Sequence, residues 1–177
     1  MIRFTFKPVE KSQRELIHKW LKQDYIREWI HGKGLQNTLA GLERFFEGPA
    51  PVQHWIAYDG TIPFAYLLTS KVHKDADDEY AAWCQEEGEA ITLDIFICDK
   101  NYMGKGLAVP LIRAFLVSEF PHVSEVLIDP EVSNERAVHV YQKAGFEIFG
   151  TYIAPWHPVP HFKMRLSTKK LHSISEQ

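Results

Sequence analysis

The sequence predicts an α+β fold, a mixed, mostly antiparallel central sheet of about seven strands flanked by helices. Three observations predict it. Residues 11–47 place apolar side chains at helical spacing. Asp59-Gly60-Thr61 joins two runs rich in β-branched and aromatic residues, the strongest hairpin signal in the chain. Residues 90–144 then run strand, helix, strand, helix. Runs of this kind make a layered α+β domain rather than a doubly wound one.

The elements follow in order. Residues 2–7 alternate as a strand, and residues 11–30 carry Leu16, Ile17, Trp20, Leu21 and Ile26 at helix-like spacing, with Asp24 a cap between two helices. After a loop at 31–34, an amphipathic helix presents Leu39, Leu42, Phe45 and Phe46 until Gly48 and Pro49 stop it. The hairpin joins strands at 52–58 (VQHWIAY) and 62–69 (IPFAYLLT). A strand at 90–98 (AITLDIFIC), a helix at 105–119 and a strand at 124–128 (SEVLI) precede a helix at 134–144, closed by Gly145 in the C-cap position. Strands at 146–153 and 160–166 complete the sheet. Residues 1–167 are therefore expected to form a single domain, and 168–177 a polar, mobile C-terminal tail.

At 177 residues the chain can bury about two thirds of its unfolded surface, enough for one proper core. Its 45% hydrophobic and 24% charged residues are those of a soluble globular protein. A net charge of -3 argues against nucleic-acid partners, which require a basic face for phosphate neutralisation. The N-terminal MIRFTFKPVEK lacks the apolar core of a secretion signal, and no stretch approaches the roughly 20 apolar residues of a membrane span. A cytoplasmic location without membrane contact is the expectation. Cys84 and Cys98 have no CxxC spacing and read as free thiols; the histidines lack metal-ligand spacing, so no metal is expected.

The stretch DKNYMGKGLA (99–108) leaves a β-branched strand, crosses Gly104 and Gly106, and enters a helix. Glycine lets backbone approach closely, successive amides point into one concavity, and a helix N-terminus adds partial positive charge that favours phosphate. Two glycines alone also suit an ordinary strand-to-helix turn, so both readings stand on this motif by itself. Pro110 falls in the first helical turn, where its missing N–H costs little.

Downstream come DPEVSNERA (129–137) and YQKAGF (141–146). Strand, GKG turn and helix, then strand, SN-x-RA and YxKAGF, resemble the GNAT acetyltransferases. The resemblance implies a GNAT-type sheet with a splayed acetyl-CoA-binding strand pair, acetyl-CoA as co-substrate, and a reaction that acetylates an amine. It implies that the amides of Met103, Gly104, Lys105, Gly106 and Leu107 hold the CoA pyrophosphate. It further implies that the strand around Asp94, Ile95, Phe96 and Ile97 pairs with pantetheine, and that Asn134 contacts the cofactor. Asn101 stands where the family often has Gln or Arg.

Acetyl transfer needs a neutral amine, a polarised thioester carbonyl and a proton for the departing thiolate. Tyr141 resembles the tyrosine that many GNAT enzymes place near the CoA sulfur and is the candidate acid; packing on the inner face of its helix is the other reading. Asp94 interrupts an apolar strand, where burial of a lone carboxylate would be costly without a cationic partner such as an amine substrate. Simple alternation, with Thr92 and Asp94 sharing a solvent face, is the alternative.

From Asp75 to Asp94 the chain carries eight acidic residues and no Lys or Arg. An acidic lip concentrates polycations, although an ordinary solvated loop has the same composition. HKWL (18–21), YIREW (25–29), the acidic insertion with Trp83, the LDIF strand and IDPEVSNERAVHVYQKAGFEIFGT (128–151) together look like an aminoglycoside 6'-N-acetyltransferase. By that likeness Asp94 binds or deprotonates the 6'-amine, Asp129 contacts substrate, Trp29 flanks the cleft, and Asp78, Glu79, Trp83 and Glu87 are further substrate-binding candidates. At 154–158 the chain reads APWHP, where the resistance enzymes tend to keep an acidic residue. The same scaffold suits a polyamine, a siderophore hydroxylamine or a protein amine. A non-catalytic acyl-CoA-binding module is the rival class, against which Asp94 and Tyr141 count. Aromatic residues near the C-terminal strands permit a homodimer.

Overall fold

The computed structural model describes residues 2–169 and 171. β1 (Phe4–Pro8) and a 3-10 turn at Lys11–Gln13 lead into α1 (Arg14–Leu21). α1 buries Ile17, Trp20 and Leu21, three and four positions apart, so one face alone meets the core. α2 (Asp24–Arg27) is a single turn. Gln23 rather than Asp24 occupies its N-cap; Asp24 lies in the first turn, where a carboxylate complements the helix dipole. The segment expected as a loop at 31–34 is instead the start of α3 (Gly32–Glu47). Its two glycines suggest a loop, yet the helix takes both: Gly32, at φ 54°, is its first residue, and a Cβ on Gly34 would stand 3.4 Å from Trp156 Cδ1, an ordinary contact.

β2 (Val52–Asp59) and β3 (Ile62–Lys71) flank the expected turn, with Gly60 at φ 59°. β4 (Ala90–Ile97), α4 (Ala108–Glu119), β5 (Glu125–Ile128), α5 (Glu135–Ala144), β6 (Glu147–Ile153) and β7 (Pro160–Ser167) follow. The seven strands form one sheet in the order β1-β2-β3-β4-β5-β7-β6. β1 with β2, β5 with β7 and β6 with β7 are antiparallel, and β4 with β5 is parallel. α4 starts three residues later than its pattern suggests, because Gly106 has φ 68°, outside the helical region.

The described residues within Met1–Thr69, Asp94–Leu107 and Pro155–His157 form one compact unit, and those within Ser70–Leu93, Ala108–Ala154 and Pro158–Gln177 a second. The first packs Ile17, Trp20, Leu21, Ile26 and Leu42 with Ile56, Tyr66, Leu68 and Cys98. In the second, Val72, Trp83, Ala90 and Leu127 pack with Tyr80, Phe149 and Tyr152.

Met1, Lys170 and residues 172–177 of the expected tail lie outside the described residues. The tail's start is anchored. Thr168 Oγ1 donates to Val123 O at 2.7 Å, and Thr168 and Leu171 are both buried. No helix among the described residues is long and apolar enough to cross a membrane.

Candidate active site

In the first unit, β4 carries Asp94 at its centre. Leu93 is buried and Asp94 exposed, as strand alternation requires. The desolvation cost expected of a buried lone carboxylate therefore does not arise, and Asp94 is open to solvent and solutes. Burial foremost, then Cys98 and last the charge of Asp94, push the Tyr66 hydroxyl well above the usual phenol range. Parallel pairing joins Ala90, Ile91 and Thr92 to Glu125, Val126 and Leu127. β4 then continues to Ile97, past the residues registered with β5. Ile95, Phe96 and Ile97 lie in this extension and are half-buried.

The chain then passes through a 3-10 turn (Lys100–Tyr102) and the glycine pair. Gly104 and Gly106 have φ 66° and 68°, the left-handed region that glycine enters without steric cost. Neither has an atom within 4 Å of where a Cβ would stand. Two exposed left-handed glycines two residues apart, leading directly into α4, leave the backbone open to close approach, a condition that an anion-binding turn requires. Trp29, in the turn after α2, is 36% exposed.

The second unit holds the remaining candidates. Tyr141 is 9% exposed, and its ring meets Phe146 edge-on at 5.8 Å. α5 ends in a Schellman turn, with Phe146 N–H donating to Tyr141 O at 3.0 Å and Gly145 N–H to Gln142 O at 3.1 Å. Gly145, at φ 111°, permits it. Asn134 is the N-cap of α5, its Oδ1 accepting from Ala137 N–H at 3.2 Å.

Asp129 follows β5 directly. It accepts from the hydroxyls of Tyr80, at 3.2 Å, and Tyr152. Burial foremost, and the charge of Glu79, push its carboxyl up to about 6, against two tyrosine donors that favour the anion. Neither tyrosine was singled out by the sequence. Tyr80 sits in a segment read for its charge, and Tyr152 in one read as a plain strand.

The acidic segment is more structured than its composition suggests. Asp78 caps a 3-10 turn (Glu79–Trp83), one oxygen accepting from Tyr80 N–H at 2.9 Å and the other from His73 N–H at 3.0 Å. Trp83 is 3% exposed, wedged against Tyr80, Phe149 and Tyr152. Glu86 pairs with Lys169 at 3.2 Å, and Glu89 with His122 at 3.0 Å. Glu79 and Glu87 are exposed. Asp78 and Trp83 thus shape the segment, while Glu79 and Glu87 present charge to solvent.

A model of the acetyltransferase (GNAT) domain matches residues 10–152, most of the chain. The chain belongs to the GNAT acetyltransferase family. It is accordingly an acetyltransferase. A crystal structure of an aminoglycoside N(6')-acetyltransferase from Legionella pneumophila is similar over 98% of this chain and 97% of its own, with 50% identity and a TM-score of 0.87. AAC(6')-Ib, solved with ribostamycin and coenzyme A, is 26% identical with a TM-score of 0.77, covering 98% of each chain. An aminoglycoside N(6')-acetyltransferase type 1 of Klebsiella pneumoniae is 28% identical over 87% of this chain and 79% of its own.

Proposed function

We propose that this enzyme transfers the acetyl group of acetyl-CoA to the 6'-amine of an aminoglycoside, in the cytoplasm. The observation that carries the substrate class is the likeness to the Legionella aminoglycoside enzyme, at half-identity across nearly the whole chain. The acetyl thioester supplies an activated acyl group. The residues fit that partner, since Gly104 and Gly106 leave an open backbone cradle for a pyrophosphate.

In this reading the amides of Gly104, Lys105, Gly106 and Leu107 bind the pyrophosphate, while Met103, whose N–H donates to Lys100 O at 3.3 Å, shapes the entry to the turn. The β4 extension, Ile95, Phe96 and Ile97, offers backbone groups to the pantetheine arm. Asn134, whose side-chain oxygen is engaged in capping, offers its amide nitrogen to the cofactor. Asp94 attracts the ammonium and takes its proton; Tyr141 protonates the departing thiolate. Trp29, Glu79 and Glu87 contact the polycation. Asp78 and Trp83 serve it indirectly by fixing the acidic segment. Asp129 is a polar anchor for substrate whose charge state changes near pH 6.

The test is thiol release from acetyl-CoA by the purified protein with kanamycin or tobramycin, beside spermidine and a lysine peptide. Saturable turnover with the aminoglycosides alone is expected. Turnover confined to spermidine or the peptide would move the substrate to another amine.

A further inference from the structure

Gly104 and Gly106 give the cofactor turn its shape and deprive it of stiffness, because glycine populates both signs of φ. The direction of its amides is therefore set by how the chain enters, and that entry is tightly held. Phe64 O accepts from Cys98 N–H at 2.8 Å and Asp99 N–H at 3.1 Å, and Asp99 Oδ1 accepts from Asn101 N–H at 2.9 Å. Cys98 O accepts from Gln23 Nε2 at 2.9 Å and Tyr25 Oη at 2.7 Å.

The last side chain anchored before the glycines is that of Tyr102, directly before Met103, whose own N–H donates back to Lys100 O at 3.3 Å. The Tyr102 ring stacks on the buried Phe64, with centroids 4.5 Å apart and planes at 23°. Its hydroxyl donates to Asp59 Oδ2 at 2.9 Å. That bond is charge-assisted and so of the stronger class, and it keeps the phenol protonated, raised above its ordinary range. Asp59 ends β2 at the hairpin turn. Two contacts to different partners fix both the plane and the rotation of the Tyr102 ring, and hence the backbone that enters the glycines.

We propose that Tyr102 and Asp59 are positioning residues for the acetyl-CoA pyrophosphate, acting by aiming the amides of residues 104–107. This rests on reading that turn as the pyrophosphate site. Neither residue touches the reacting atoms; their effect falls on cofactor affinity alone.

The test is calorimetric titration of CoA, and of pantetheine as a probe lacking the pyrophosphate, into wild type, Tyr102→Phe, Asp59→Ala, Asp59→Asn and the Tyr102→Phe/Asp59→Ala double variant. Tyr102→Phe and Asp59→Ala should each weaken CoA binding about tenfold, the double variant no further, and pantetheine affinity should stay within about twofold. Asp59→Asn retains an acceptor oxygen and should restore most of the affinity. Tyr102→Phe keeps the stacked ring, so its fold is preserved. Unchanged CoA affinity in Tyr102→Phe, additive losses, or parallel losses for CoA and pantetheine would overturn the positioning role. Wild-type protein that binds pantetheine and CoA equally would overturn the pyrophosphate reading itself, and this inference with it.

Discussion

Asp94 stands exposed beside the buried Leu93, so its removal should be felt in chemistry rather than in packing. Asp94→Asn keeps the shape and removes the charge. It should lower kcat/KM for kanamycin at least about tenfold while leaving CoA affinity and Tm in place, as steady-state kinetics and calorimetry would register. Asp129 makes a prediction of the opposite kind. Its folded pKa of about 6 lies above the ordinary aspartate value near 3.9, so the folded state holds the proton more tightly. That contribution to stability is complete below about pH 4 and is lost as pH rises through about 6. Asp129→Asn should therefore remove a decline in stability between about pH 4 and 6, checked by urea unfolding at each pH. Asp94 was legible because it breaks an apolar strand, and the glycine pair because both residues lie in one short motif. The partners of Asp129 were not. Tyr80 and Tyr152 are 49 and 23 residues away, and only the folded chain joins them.

At the scale of elements, the acidic segment is held by a buried carboxylate. Glu125, fully buried in β5, uses both oxygens to accept Gln85 N–H at 3.1 and 3.0 Å. Lys74 Nζ closes the other side by donating to Glu86 O at 2.8 Å and Gly88 O at 2.6 Å. Glu125→Ala removes the acceptor of Gln85 N–H and empties space in the buried β5, and should lower Tm by several degrees. Limited proteolysis should then cut within residues 74–88 first; cleavage elsewhere would place the brace in another element. Gly88→Ala should also destabilise, since φ is 97° and an added Cβ would collide with Ser124 Oγ. None of this follows from composition. A 3-10 turn has no periodicity to read, and a stretch rich in Asp and Glu looks solvated until its caps are seen. Elements with a strong period, β2, β3, α5 and β7, fall within two residues of expectation, whereas α3 and α4 differ at their glycine-bearing starts.

Across the whole molecule the charge is distributed unevenly. Eight of the 23 acidic residues fall within 75–94, which carries no Lys or Arg, while the rest of the chain has 20 basic residues. The net charge of -3 therefore conceals an acidic region on an otherwise basic chain. Pairing with Lys169 and Lys71 offsets Glu86 and Glu89, and Asp78 is occupied in capping. The exposed Asp75, Asp77, Glu79 and Glu87 are left to set the field felt by an approaching cation. A field of that origin acts over distances that salt shortens, from about 10 Å at 0.1 M to about 3 Å at 1 M. It raises association more than it raises contact energy. For a polycationic aminoglycoside, kcat/KM should thus fall several-fold between roughly 0.05 and 0.5 M KCl, with kcat nearly constant. Glu79→Gln/Glu87→Gln should flatten that dependence while leaving pantetheine affinity unchanged. An equal salt slope in the double variant would show that Glu79 and Glu87 do not set the field felt by the amine.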